Sequence, residues 1–227
     1  MKQTAYILLL LCCISCSSTK KLNVGLKNKL DAISYKDQTL RALFNNPTAE
    51  RKAAILNEFG ISQQEFETKS WNIVSEQDSI NIGEIEKIIR QYGYPGKTLV
   101  GEPANKSAWY VIQHSTKIET YFPLIKAAGA KKEIPNTLVA MMEDRLLMYR
   151  GVEQIYGTQV MGSNYKNPTT GKTEWINYVW PIKDINTVNE RRKKIGFTDT
   201  VEQSAEGMGV TYKIYTLAEA KEMKKNK

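Results

Sequence analysis

Through the first 150 positions of the chain, apolar residues recur at the three- and four-residue spacing of amphipathic helices. Leu30, Ile33, Leu40, Leu43 and Phe44 predict a helix over residues 30–44, ended by Asn45-Asn46-Pro47. Thr48 is placed to cap a second helix carrying Ala53, Ala54, Ile55 and Phe59, with Gly60 as its stop. Ser62-Gln63-Gln64-Glu65 has capping-box spacing and predicts a third helix from near Gln63 to near Asp78. Asn81 suits the cap of a fourth, with Ile82, Ile85, Ile88 and Ile89 as its buried stripe and Gly93 as its close. Pro95-Gly96 turns the chain, and Pro103 suits the first position of a helix that ends in Gln113-His114. Residues 118–130 continue as helix, and Pro135-Asn136 opens a long one over 137–150 that Gly151 terminates.

From Gln154 the helical period is lost. Residues 155–161 and 174–182 are rich in β-branched and aromatic side chains, and the polar loop 164–172 between them holds Pro168 and Gly171, which predicts a two-stranded hairpin. Helix returns over 184–194, and a short basic helix runs from about 216 to the C-terminus at 227. The expected fold is mainly α with a small β-hairpin: one helical domain over residues 30–227, without internal repeats.

The start of the chain does not fit that domain. Lys2 precedes an apolar run over residues 5–14, too short to span a bilayer but of the length of a secretory leader. Cys13-Ile14-Ser15-Cys16, followed by Ser17-Ser18-Thr19, resembles a bacterial lipobox with Cys13 where a leucine is more usual. Residues 1–15 are therefore expected to be a signal peptide, Cys16 the lipidated residue, and 16–29 a polar tether. Acyl chains at about 0.8 kcal/mol per buried methylene would hold the exported protein on a bacterial membrane, at the periplasmic face or the cell surface. A plain cleaved leader that leaves Cys16 as a free thiol is the alternative.

Composition narrows the chemistry. With 41% hydrophobic and 25% charged residues in 227, the chain is globular rather than disordered. All three cysteines fall at positions 12, 13 and 16, so the domain has no disulfide, thiolate nucleophile or cysteine metal ligand to offer. The formal charge of +8 suits an anionic surface, yet a solvated basic exterior explains it equally, and no nucleic-acid fold signature accompanies it. No nucleic-acid partner is expected.

His114 is the single histidine, and histidine alone ordinarily changes charge near neutral pH. It is a candidate general acid or base, or a donor that orients a ligand; a histidine satisfied by neighbouring backbone or carboxylate fits the spacing too. Asp144-Arg145 interrupts an otherwise apolar helix, so at least one of the two should be buried and partnered, by a ligand or by the segment 154–159. Gln113, Gln154, Tyr156 and Gln159 add amides and a phenol suited to reading polar groups, and Gly157 permits an unusual backbone angle or a close approach. Ser107 and Ser115 offer hydroxyls, but there is no Gly-x-Ser-x-Gly elbow and no phosphate-binding glycine loop. One histidine and no domain cysteine disfavour a zinc site, and neither a metal nor any other cofactor is expected.

Several of these residues recur together in a known signature. Tyr92-Gly93-Tyr94-Pro95, Gln113-His114, Asp144-Arg145 and Gln154-Ile155-Tyr156-Gly157-Thr158-Gln159, with Asp78 and Asn81 before them and Arg191-Arg192 and Gly196 after, resemble the bacterial family called domain of unknown function 6624. The resemblance covers about residues 78–197 and implies no particular reaction. The expectation is a cell-envelope lipoprotein that binds a polar envelope ligand or protein partner through Gln113, His114, Arg145, Gln154, Tyr156 and Gln159. One alternative is an envelope hydrolase with His114 as general base and Asp144 as its orienter; another is a purely structural lipoprotein.

Overall fold

A computed structural model describes residues 21–166 and 170–225. The expected signal peptide, the lipidation site Cys16, the first residues of the tether and Pro168 lie outside the described residues. Ten α-helices and one two-stranded antiparallel sheet make up the described chain, a mainly α fold with a small β part. Among the described residues no helix is long and apolar enough to cross a membrane.

The first helix, α1 (Val24–Ala42), begins earlier than its apolar stripe suggests, because the Asn23 side chain accepts from the Leu26 amide and caps it. Residues 24–29, expected in the tether, therefore form the first turns of the domain, and Leu26 is buried in the core. Thr48 caps α2 (Ala49–Glu58) and Ser62 caps α3 (Gln63–Tyr92), as their spacing predicts.

Two helices were expected where α3 runs unbroken through Asp78 and Asn81. Asn81 is a buried mid-helix residue that accepts from the Gln77 side chain, and Asp78 bonds to Arg41. Asp78 is held by Arg41 of α1, and the Asn81 carbonyl oxygen is held from within α3 while its buried Nδ2 has no partner among the described residues, so neither side chain is bonded to the helix backbone. The one interruption in α3 is a kink at Lys69, whose φ of −134° is non-helical.

A single turn, α4 (Lys97–Val100), and a 3-10 turn at Ala104–Lys106 lead into α5 (Ser107–Gln113), which is shorter than the helix expected from Pro103. Next come α6 (Ile118–Ala130) and α7 (Asn136–Tyr149). Leu30, Ile85, Ile112, Ile125 and Met142, all at 0% exposure, form the centre where α1, α3, α5, α6 and α7 meet. Each such side chain contributes roughly 1.5–3 kcal/mol of burial. A second cluster of Leu40, Leu43, Ile55, Leu56 and Val74 holds the end of α1 against α2 and α3.

The hairpin strands are β1 (Val160–Lys166) and β2 (Thr173–Val179), paired from Val160 opposite Val179 to Lys166 opposite Thr173. Residues 155–159, expected in the first strand, lie before it. A 3-10 turn at Ile185–Thr187 precedes α8 (Val188–Ile195). Thr200 and Gln203 form a full capping box at the start of α9 (Val201–Gly207), an element not expected from the sequence. The terminal α10 (Leu217–Lys225) packs on the hairpin through Ala220 and Met223 against Tyr178 and Trp180.

Candidate functional site

The C-terminal half of α1, the middle of α3, the end of α5 and the last turns of α7 enclose a groove of roughly 570 Å³. His114, at the C-terminal cap of α5, lines it together with Gln113, while α7 contributes Arg145 and Tyr149. From α1 come Gln38 and Arg41, and from α3 come Ser75 and Asp78. Trp71 and Phe44 form an aromatic side.

The residue that organises the groove is Asp37, fully buried on the apolar face of α1. His114 Nδ1 lies 3.1 Å from both Asp37 carboxylate oxygens. Gln38 Nε2 donates to the same carboxylate at 2.6 Å and Arg41 Nη1 at 3.1 Å. Arg41 Nη2 then donates to the Asp78 carboxylate, 2.8 and 2.7 Å from its two oxygens, tying α1 to α3. A carboxylate only accepts, so it holds the proton of a neutral imidazole on Nδ1 and leaves Nε2 as an acceptor. Nε2 has no hydrogen-bond partner among the described residues, and the His114 side chain is 16% exposed.

Arg145 is treated differently from Arg41. Its Nε donates to Gln159 Oε1 at 3.0 Å and its Nη1 to the Gln113 carbonyl at 3.2 Å, both neutral. No carboxylate lies within ion-pair distance of it among the described residues. Burial is the main cause that pulls its pKa below the usual arginine value, and the like charge of Arg41 acts in the same direction, while Tyr149 opposes them. Arg41 is neutralised by two acids; Arg145 presents its charge to the groove.

Asp144, the neighbour of Arg145 in sequence, makes no contribution to this groove. Its carboxylate accepts from the amides of Ile155 at 2.7 Å, Tyr156 at 3.1 Å and Thr158 at 3.0 Å, and from the Thr158 hydroxyl at 2.9 Å. Those amides are unavailable to a β-ladder, which is why the strand starts at Val160 and not at Ile155. Burial raises the Asp144 pKa above its usual value, against the lowering effect of these same hydrogen bonds. Asp144 makes no hydrogen bond to His114, so the pairing of those two residues expected for a hydrolase is not formed; the acid that meets His114 is Asp37.

The rest of the 154–159 segment is scaffold. Gln154 is fully buried and bonds the backbone of Gln159 and Trp180. Gln159 is buried and positions Arg145 through its Oε1 without lining the groove itself. Gly157 has φ of +71°, and a Cβ there would sit 2.5 Å from Val201 and 2.7 Å from Ile182, so both properties expected of it are used. Tyr156 does not line the groove: its ring neighbours Phe197, and Arg192, buried beneath, donates to its carbonyl at 2.9 Å. Of the six expected ligand-binding residues, the fold brings Gln113, His114 and Arg145 to the groove and leaves Gln154, Tyr156 and Gln159 behind it.

Ser107 is buried in the helical core, and Ser115 spends its hydroxyl on the Ile112 carbonyl, so neither supplies a nucleophile to His114. Among the described residues no group of three or more histidine, cysteine, aspartate or glutamate side chains is arranged to hold a metal ion. Asp37 and Arg41 were not candidates from the sequence. A signal was present: Leu30, Ile33, Asp37 and Leu40 follow one another at spacings of four and three, which puts a carboxylate in the middle of a buried stripe.

These features define a mainly helical domain whose polar groove is built around a buried acid, a histidine and an arginine without an acidic partner. The chain belongs to a family of unknown function (DUF6624), whose model matches residues 27–207. The match begins within α1 and so takes in Asp37 and Arg41 as well as the motifs from residue 78 onward. No curated protein and no solved structure matches the chain.

Proposed function

We propose that the protein is an exported, membrane-tethered binding protein that holds a polar, anion-bearing ligand of the cell envelope in this groove. Arg145 carries the reading: a largely desolvated guanidinium that faces the groove with only neutral partners asks for an anion. The formal charges of Arg41 and Arg145 balance those of Asp37 and Asp78, so the attraction is local to Arg145 and not a field over the whole groove. Gln113 and His114 beside it supply donors and an acceptor for the remainder of the ligand.

The test uses the single histidine as a reporter. Titration of the purified protein with inorganic phosphate, followed by the imidazole NMR signals of His114, is expected to give a saturable shift. The substitution Arg145→Gln should weaken it by about tenfold or more, the cost of losing a charge-assisted contact. No shift in the wild type, or equal affinity in both proteins, removes the proposal.

The Asp37–His114 pair favours a second reading, in which the bound ligand is also the object of acid–base chemistry. A buried carboxylate on Nδ1, and an Nε2 without a partner among the described residues on a histidine that lines the groove, suit the ring to take a proton from a ligand hydroxyl or from water.

A further inference from the structure

Trp71 stands on the wall of the groove with 69% of its surface open. It is not a stray surface aromatic. Its ring stacks on Phe44 at 4.4 Å and 23°, and Phe44 in turn lies against Phe66 at 5.8 Å, so an aromatic row anchored in the cluster around α2 ends at the groove with an exposed indole. The kink of α3 at Lys69 lies just before this tryptophan. Burying so large an apolar face in a ligand complex would repay leaving it in water in the free protein.

We propose that the ligand is an anionic sugar, a pyranose ring that bears a carboxylate or a phosphate. The acid sits on Arg145 and the apolar C–H face of the ring lies on Trp71. Phe44 already covers one side of the indole, which leaves a single platform and not the two-sided slot that grips a flat nucleobase. The remaining polar lining, the Ser75 hydroxyl with the Gln38 and Gln113 side chains, is of the kind that reads ring hydroxyls. The inference rests on the anion-binding reading of Arg145 and adds the ring.

Affinities of the purified protein for acetate, inorganic phosphate, glucose, glucuronate, glucose 6-phosphate and AMP test it, read by His114 NMR signals and tryptophan fluorescence. Glucuronate or glucose 6-phosphate is expected to bind at least about tenfold more tightly than the corresponding bare anion. The arm that shows the gain tells carboxylate from phosphate. The substitution Trp71→Ala, at an exposed position, should abolish the gain, bringing sugar-acid affinity down to that of the bare anion in the same variant. Sugar acids that bind no better than bare anions, a gain that survives in Trp71→Ala, or AMP as the tightest ligand each overturn the sugar assignment and leave the Arg145 anion site standing. Failure of every anion to bind overturns both.

Discussion

His114 and Asp37 are 77 positions apart, and neither has a sequence neighbour that predicts the other. The histidine stood out because it is unique, and Arg145 because it breaks an apolar helix; both reasons are visible in a string of letters. Asp37 was equally visible as a carboxylate on a buried stripe, but its partners were not. Asp144 is buried and bonds the segment after α7 that its place in an apolar helix pointed to, whereas the pairing with His114 is not formed, since burial follows from the period of one helix but a distant partner depends on what packs against it. If Asp37 orients the ring as its geometry implies, ¹⁵N chemical shifts of neutral His114 will place the proton on Nδ1. Asp37→Asn, whose amide is both donor and acceptor, will lose that preference. A proton found on Nε2 in the wild type ends the acid–base reading.

At the scale of elements, the join between α7 and the hairpin depends on one carboxylate. Asp144 gathers three backbone amides and a hydroxyl from residues 155–158, and Arg191 and Arg192 hold the carbonyls of Ile155 and Tyr156 from the other side. Asp144→Ala would strand buried amides without acceptors and is expected to cost roughly 3 kcal/mol in urea unfolding. A loss under about 1 kcal/mol would mean that water replaces the carboxylate freely. The same contacts explain the displaced strand, just as the bond from Arg41 explains why α3 does not end at Asp78. A polar residue in a helical pattern reads as an end when its bonding partner lies on another element, as Arg41 of α1 does for Asp78. Capping is different, because cap and helix are adjacent: Thr48 and Ser62 were legible, and the Thr200-x-x-Gln203 box that starts α9 was there to be read.

For the molecule as a whole, the proposed function joins the groove to an anchor: we propose a ligand-binding domain held near a membrane through Cys16. Cells supplied with labelled palmitate should incorporate it into the wild-type protein and recover that protein with membranes, whereas Cys16→Ser should be unlabelled. Label retained in Cys16→Ser, or absent from the wild type, removes the anchor from the proposal. The mainly α fold, the small hairpin and the faces that form the core followed from the sequence alone, because helical and alternating periods are local properties of a chain whose apolar side must be buried. The groove was decided only by tertiary structure. It takes side chains from α1, α3, α5 and α7, and which polar groups meet there depends on how packed helices bring distant turns together, so Asp37 faces His114, Asp144 turns to the segment that precedes the hairpin, and Arg145 is left with its charge toward the groove.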